Sequence, residues 1–400
     1  MPIDKTQKIE QRQTSVTLAL LPIMTAVFIA FLMIGLALPV LPLHVRDDLG
    51  LGGFVVGLVA GAQFAASLVS RVWAGRFADT RGGKLAVTIG LICAALSGVL
   101  YLVSISFQDS PSLSAAILLA GRAVLGGAES FIITGAVSWG LMIGGPSNIG
   151  KVIAWIGTAM YAAFAIGAPL GGTLFEAYGF IAIALMTALV PLVTLVAVLP
   201  QKGILPPARE AAPMKSVIGA IWLPGVGLAM SSLGFGAMMT FASLLFSERG
   251  WSPVWLGVTA FATSFIVARL FLGHIADTLG GARVALVCLV IEAIGLGLIW
   301  LAPNEAVAVL GATLTGFGYS LVYPGFGVEA VRRAPAKARG TAMGTYTAFL
   351  DLSLGVSSPL LGMLAARGSG KVFLVSSVVV AVASIVAMRL RASQPATDLS

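Results

Sequence analysis

Two ionisable residues, Arg122 and Glu129, lie within one long apolar stretch of the chain. Seven residues of α-helix turn through about 700°, so both side chains would project in nearly the same direction, about 10 Å apart. Gly126 lies between them and would leave room for a substrate or for a neighbouring helix. Charged groups in an apolar medium cost roughly 2.5–3.5 kcal/mol each on insertion scales, so this pair requires a reason.

One reason is chemical coupling between a proton and a second ligand. A substrate or water molecule that occupies Arg122 would release Glu129 to take up a proton, and protonation would remove a charge that obstructs movement. The pattern therefore predicts Arg122 and Glu129 as proton-coupling residues that also contact substrate. The alternative is a fixed Arg–Glu ion pair that only joins helices.

Three further carboxylates fall in apolar segments. Asp351 has no Lys or Arg on its own helix face, and we interpret it as a second proton-coupling residue, with a purely structural role as the alternative. Glu292 is expected to be structural or a protonated carboxyl between helices. Glu329 precedes Arg332 and Arg333 and is predicted to belong to a charged gate on the inner face.

Polar and aromatic side chains on neighbouring segments complete the predicted substrate site. Each offers a hydrogen bond or an adaptable apolar surface, although helix packing is an alternative role for any one of them. The candidates, besides Arg122 and Glu129, are Gln63, Tyr161, Ser232, Phe235, Tyr319, Tyr323 and Tyr346. Pro324 is expected to kink or interrupt its helix, which could expose the backbone to a ligand.

The composition requires a lipid environment for these segments. The chain is 58% hydrophobic and 10% charged, against about 25% charged in soluble domains. Runs of roughly 20 apolar residues can span a bilayer, and only helices satisfy their own backbone there. Twelve such runs are present, at about 16–42, 53–74, 85–107, 113–140, 151–175, 180–199, 217–246, 253–273, 284–302, 306–330, 341–365 and 371–390.

The distribution of positive charge predicts the orientation. With the N-terminus inside, the outer side receives only Arg46, Arg249, Arg367 and Lys371, and nearly all other Lys and Arg residues fall on the inner side. This bias follows the positive-inside rule and favours an even number of spans, with both termini cytoplasmic. Because the basic residues lie in short loops and form no extended basic face, a nucleic-acid partner is not expected.

One loop sequence occurs twice. Residues 71–83 reappear as 269–281 with Arg, Gly, Asp, Thr and the Gly pair in register. Such a repeat is typical of transporters built from two related halves. We interpret these loops as an inner gate formed by Gly75, Asp79, Arg81, Lys84, Gly273 and Asp277, with Glu329 alongside. Gly82 and Gly280 are expected to form the tight turns. The alternative to a gate is that the charges of these loops only set the topology.

These motifs resemble those of the major facilitator superfamily. Residues 75–84 resemble its loop signature, although Thr80 follows Asp79 where that family has a basic residue. Residues 118–126 resemble its fourth-helix signature, in which the arginine is tied to proton coupling. Residues 167–172 resemble the fifth-helix signature of exporters that exchange substrate for protons, and residues 126–131 and 316–324 are similar to a bacterial branch labelled YhhS/YfcJ-like.

The resemblance implies an all-α membrane protein with twelve transmembrane helices in two pseudo-symmetric six-helix bundles, the major facilitator fold. We predict an N-terminal bundle at 1–200, a cytoplasmic linker at 201–216 and a C-terminal bundle at 217–400. The linker contains Pro206 and Pro207 and separates six apolar runs from six. The resemblance also implies a bacterial inner-membrane location.

The predicted function is secondary active transport. Our first interpretation is a proton-coupled antiporter that exports a small molecule by alternating access. The alternative is a proton-linked symporter that imports a small polar or anionic solute, and a transporter-like sensor is a lesser alternative. No enzyme activity, cofactor or metal site is expected, since His44, His274, Cys93 and Cys288 are scattered. The expected partners are protons, a small-molecule substrate and the lipid bilayer, with the protein a monomer.

Overall fold

The computed structural model describes residues 5–145, 148–205, 214–334 and 339–392. Within these ranges, twelve long helices follow one another along the chain. They are α1 (Lys5–Ala37), α2 (Gly53–Arg81), α3 (Gly83–Ile105), α4 (Pro111–Gly144), α5 (Ile149–Tyr178), α6 (Phe180–Val198), α7 (Met214–Arg249), α8 (Leu256–Leu272), α9 (Gly281–Leu301), α10 (Glu305–Arg333), α11 (Arg339–Ala365) and α12 (Gly370–Ala392).

These helices confirm the predicted all-helical membrane fold. Eleven of them within the described ranges are long and apolar enough to cross a bilayer, and α8 adds a shorter apolar helix of 17 residues. α1 is extended by the short helix Leu41–Leu43 and by one π-helical segment, His44–Asp48. α2, α7, α10 and α12 run past the C-terminal ends of their predicted spans, and the additional residues there include charged side chains.

The two sets of six helices pack in the same pattern. α4 packs against α2 and α3 in the first six, and α10 packs against α8 and α9 in the second six. Contacts between the sets are formed by α2 with α11 and by α5 with α8, the first being the more extensive. α7 begins within the predicted linker 201–216, of which residues 206–213 lie outside the described part, so the domain division stays a prediction.

The repeated loops have closely similar backbones. Gly82 has φ 91° between α2 and α3, and Gly280 has φ 87° before α9, in the region that favours glycine. The copies differ just before this turn. α2 is continuous to Arg81, whereas α8 ends at Leu272 and a separate short helix, Ile275–Leu279, follows.

α10 runs unbroken through Pro324, so the predicted interruption is wrong, and the alternative of a kink stays a prediction. Proline removes the hydrogen bond to the carbonyl four residues earlier, here that of Ser320. Arg269 of α8 donates from Nη1 to that carbonyl at 3.2 Å. A neighbouring side chain thus satisfies the freed oxygen, which allows the helix to continue.

The two halves are in close contact on the predicted outer side. Gly57 and Gly61 of α2 lie directly against the backbone of α11 at Ser358 and Gly355. Arg46, between α1 and α2, donates to Glu248 at 2.9 Å, and Glu248 also accepts from Ser369 Oγ at 2.8 Å. These contacts close the outer side between the halves.

Candidate functional site

Gly126 brings α4 against α2. A side chain at this position would collide with the carbonyl oxygen of Gln63, so glycine permits the helices to approach closely. The space beside Gly126 is therefore filled by a helix, one of the two occupants expected from the sequence. This contact places Gln63 Nε2 at 2.8 Å from Glu129 Oε2, with the amide donating. One turn further, Ser67 and Ser130 have their hydroxyl oxygens 3.0 Å apart.

Asp351 forms an ion pair with Arg71 of the other half. Arg71 Nε donates to Asp351 Oδ2 at 2.8 Å, and Arg71 Nη2 donates to Ser67 Oγ at 3.2 Å. The Asp351 side chain is only 3% exposed. Sequence reasoning placed Arg71 among the inner loop charges, whereas its guanidinium is paired within the bundle. Asp351 has no cation on its own helix face, as expected, and takes its partner from a helix distant in sequence.

Glu129 stands close to this ion pair. It is partly exposed, and it interacts electrostatically with Arg71, Asp351 and Arg122. Ser67 connects the two sets of contacts, since it is bonded to both Ser130 and Arg71. We call Gln63, Ser67, Arg71, Glu129, Ser130 and Asp351 the polar network.

Arg122 makes no ion pair with Glu129, so the predicted alternative of a fixed Arg–Glu pair is wrong for this structure. Its side chain is fully buried, and none of its guanidinium nitrogens has a hydrogen-bond partner within the described part of the chain. Glu129 is bonded to Gln63 instead. The helical geometry is as expected, but the Gln63 amide, which lies nearer, takes the carboxylate.

The second half places aromatic rings at the corresponding positions. Gly316 contacts the carbonyl of Phe261 in the same way that Gly126 contacts the carbonyl of Gln63. Tyr319 follows Gly316 by three residues, as Glu129 follows Gly126, so Tyr319 takes the position of Glu129. The rings of Phe235 and Tyr319 stack with centroids 5.1 Å apart, and those of Tyr161 and Phe265 are 4.4 Å apart. We call Tyr161, Phe235, Phe261, Phe265 and Tyr319 the aromatic cluster. A small cavity is lined by these residues except Tyr319, together with Phe164, Met239 and Ala262.

The remaining predicted contacts lie at the edge of this cluster. Ser232 Oγ is 3.4 Å from the Tyr319 hydroxyl and donates to the carbonyl of Leu228. Tyr323 is partly exposed, and its hydroxyl lies 2.8 Å from Thr347 Oγ1. Tyr346 is fully buried and donates to the carbonyl of Tyr323 at 2.8 Å. Tyr346 therefore joins α10 to α11, and its role as a substrate contact stays a prediction.

Sequence reasoning missed Ser67, Ser130, Phe261 and Phe265. The repeated loop contained a signal for three of them. Extended backwards in the same register, it aligns Gln63, Ser67 and Arg71 with Phe261, Phe265 and Arg269. Residues four apart share a helix face, so this comparison would have identified both stripes.

The gate residues make few contacts. Asp79 and Arg81 are exposed and form no ion pair with any described residue. Lys84 donates to the carbonyl of Leu199 at 2.7 Å, which ties α3 to the end of α6. Gly75 faces open space, and Gly273 ends α8.

The other predicted gate residues lie nearer the second half's inner end. The side chain of Asp277 lies outside the described part. Glu329 lies 3.8 Å from Arg332 and 3.9 Å from Arg333, nitrogen to oxygen. Glu292 is fully buried and accepts from Ser231 Oγ at 2.6 Å, away from these charges.

Two related helical halves with an ionisable network between them define a membrane transporter. The family model of the Major Facilitator Superfamily matches residues 23–261 and again 225–399. An uncharacterized MFS-type transporter of Salmonella typhimurium is 42% identical over 88% of this chain and 91% of its own. The uncharacterized MFS-type transporter YhhS of Escherichia coli K12 is 38% identical over 92% and 91%. The chain belongs to the Major Facilitator Superfamily.

The fold is also shared with a solved structure of low sequence identity. A bacterial homolog of the human lysosomal transporter Spinster, in an inward-facing and occupied conformation, superposes with a TM-score of 0.74 at 14% identity. The match covers 96% of this chain and 98% of that chain. At this identity the likeness concerns the fold alone.

Proposed function

We propose that this protein is a proton-coupled antiporter that exports a small molecule across a bacterial inner membrane, with both termini cytoplasmic and the monomer as the working unit. The observation that carries the proposal is the Arg71–Asp351 ion pair, because it joins the two halves. The partners lie on α2 and α11, the helices whose contact closes the outer side. In this proposal, opening of the outer side separates them.

Separation of this pair provides the coupling step. Asp351 is 3% exposed in the closed arrangement, and a carboxylate left without its cation in a membrane interior is costly. Asp351 therefore takes a proton from the outer side when the halves part there. When the outer side closes again, Arg71 returns to Asp351 and displaces that proton towards the inner side.

Glu129 links this step to the substrate. Arg71 interacts electrostatically with both Asp351 and Glu129, so it changes its main partner as the halves rock. Once parted from Asp351, Arg71 is held by Glu129, which lies on its own half and keeps its charge through the cycle, so that only Asp351 gains and loses the proton. Substrate from the inner side binds at Arg122 or the aromatic cluster while the Arg71–Asp351 pair is closed, and it leaves on the outer side after the pair has parted.

The test has two parts. Infrared difference spectra of purified protein across a pH titration should contain a carboxylic-acid band that is lost in Asp351→Asn. Glu176→Gln, at an exposed position of α5, is the matched control and should keep the band. A band that survives in Asp351→Asn and disappears in Glu129→Gln would identify Glu129, and not Asp351, as the residue that carries the proton.

Direction is tested by transport. A compound found by thermal-shift screening is loaded into proteoliposomes, and a pH gradient of each sign is imposed. Antiport predicts movement of the compound opposite to the proton flow. Movement in the same direction as the protons would establish the importing symporter and reject the proposed export.

A further inference from the structure

Arg269 is the repeat-related partner of Arg71, but no carboxylate in the described part of the chain pairs with it as Asp351 pairs with Arg71. Both arginines follow a stripe of residues four apart, which is Gln63 and Ser67 in one half and Phe261 and Phe265 in the other. Arg71 is paired with Asp351. Arg269 forms no ion pair with a carboxylate of the described residues, and it donates a hydrogen bond to the carbonyl of Ser320.

In the α5–α8 contact, a tyrosine takes the position that Asp351 has in the α2–α11 contact. Asp351 stands eight residues before Pro359 in α11, and Tyr161 stands eight residues before Pro169 in α5. Tyr161 packs on Phe265 and interacts electrostatically with Arg269. Its hydroxyl makes no hydrogen bond within the described ranges. The α5–α8 contact thus repeats the α2–α11 contact with its negative charge removed.

Arg269 lies well inside the bundle although it is near the inner end of α8. Side chains of a helix lean towards its N-terminus, and here the guanidinium reaches the carbonyl of Ser320, near the middle of α10. Arg269 is partly exposed, so a ligand can reach the guanidinium N–H groups that do not bond the Ser320 carbonyl. A cation at this depth is stabilised by an anion, and no described carboxylate supplies one.

We infer that the missing anion is supplied by the substrate, and that the substrate is an organic anion with an aromatic or flat apolar body. This inference rests on the proposed transport function and specifies its substrate class. The guanidinium of Arg269 and the hydroxyl of Tyr161 bind the anionic group. The rings of Phe235, Phe261 and Phe265 receive the body, because aromatic faces bury large apolar area with defined geometry.

Three probes with one ring system separate charge from shape. Binding of 2-naphthoate, 2-naphthamide and 2-naphthylmethylammonium to purified protein is measured at equilibrium by isothermal titration calorimetry. We expect 2-naphthoate to bind tightest. Equal binding of the acid and the amide, preference for the ammonium compound, or no binding of any probe would overturn the inference.

Substitutions locate the anion. Arg269→Gln should weaken 2-naphthoate binding about 10- to 100-fold, as for loss of a charged hydrogen bond, and leave 2-naphthamide within about twofold. Arg269→Lys should retain part of the affinity. Arg283→Gln, at an exposed arginine of α9, is the matched control. Unchanged 2-naphthoate binding in Arg269→Gln would reject the assignment.

The strongest test gives Arg269 the carboxylate that its counterpart has. Tyr161→Asp should form an ion pair with Arg269 and abolish 2-naphthoate binding, whereas Tyr161→Asn should reduce it only modestly. If Tyr161→Asp does not fold, Arg269→Gln alone decides. Binding needs no proton gradient, so a failed binding test leaves the proton-coupling tests on Asp351 standing, and a failed coupling test leaves the binding result standing.

Discussion

The two halves place different chemistry on the same helix contacts. In the first half, α2 and α4 meet at Gly126 and carry the Gln63–Glu129 hydrogen bond. In the second half, α8 and α10 meet at Gly316 and carry the rings of Phe261 and Tyr319, with centroids 6.4 Å apart. Backbone proximity needs only a glycine, so the side chains around each crossing have been free to diverge.

Under the proposed function, this difference corresponds to two tasks of the transporter. A polar network in a membrane is stable only when its members satisfy one another, and it can hold or release a proton when one contact changes. An aromatic cluster offers area and shape and has little to titrate. The proposed function therefore assigns proton exchange to the polar network and ligand contact to the aromatic cluster.

The largest expected effect comes from removing Arg71. Arg71→Met leaves Asp351 buried and without its cation, which should destabilise the protein by about 3–5 kcal/mol. The double variant Arg71→Met/Asp351→Asn should recover much of this loss. The measurement is a double-mutant cycle of thermal or denaturant stability in detergent. Additive effects of the two substitutions would mean that the pair contributes nothing across the halves.

A smaller loss is expected from filling the two glycine contacts. Gly126→Ala and Gly316→Ala each place a methyl group against a backbone carbonyl that cannot move aside, and each should cost about 1–3 kcal/mol. Gly127→Ala is the control, since nothing lies within 4 Å of its added carbon. A large difference between the first two variants would show that the helix crossings are not equivalent.

Glu129→Gln should change stability by less than about 1 kcal/mol, because an amide can still bond Gln63. Its effect lies in transport, where we expect movement driven by a pH gradient to be lost. Tyr319→Phe at the repeat-related position should keep that dependence. Loss of pH-driven transport in Tyr319→Phe and its survival in Glu129→Gln would reverse the division between the halves.

The smallest change is expected at the outer surface. The Arg46 and Glu248 side chains are 26% and 34% exposed, and ion pairs of this kind contribute about 0–1 kcal/mol. Arg46→Gln should therefore shift the population with an open outer side by at most about fivefold. The distance between spin labels at Asp109 and Arg367, in a background without native cysteines, would measure this population. Lys371→Gln is the control. An unchanged distance distribution would mean that the Arg46–Glu248 ion pair does not help to keep the outer side closed.

Much of the fold could be predicted because membrane helices are encoded locally. Each span is a contiguous apolar run, and the loop that contains Gly82 recurs around Gly280. The position of Arg122 and Glu129 on a single helix followed from helical periodicity alone. Helical periodicity did not predict that these two side chains form no ion pair, because the Gln63 amide that bonds Glu129 belongs to another helix.

The sequence by itself determined the twelve apolar segments, the repeat and the identity of the ionisable residues within lipid, since each is a property of composition or of spacing along one helix. Only the tertiary structure decided that Asp351 pairs with Arg71, that Arg122 is left without a hydrogen-bond partner among the described residues, and that Tyr161 stands beside Arg269. These contacts join helices that are distant in sequence. Their distances depend on how closely the backbones approach one another, and no local pattern specifies that.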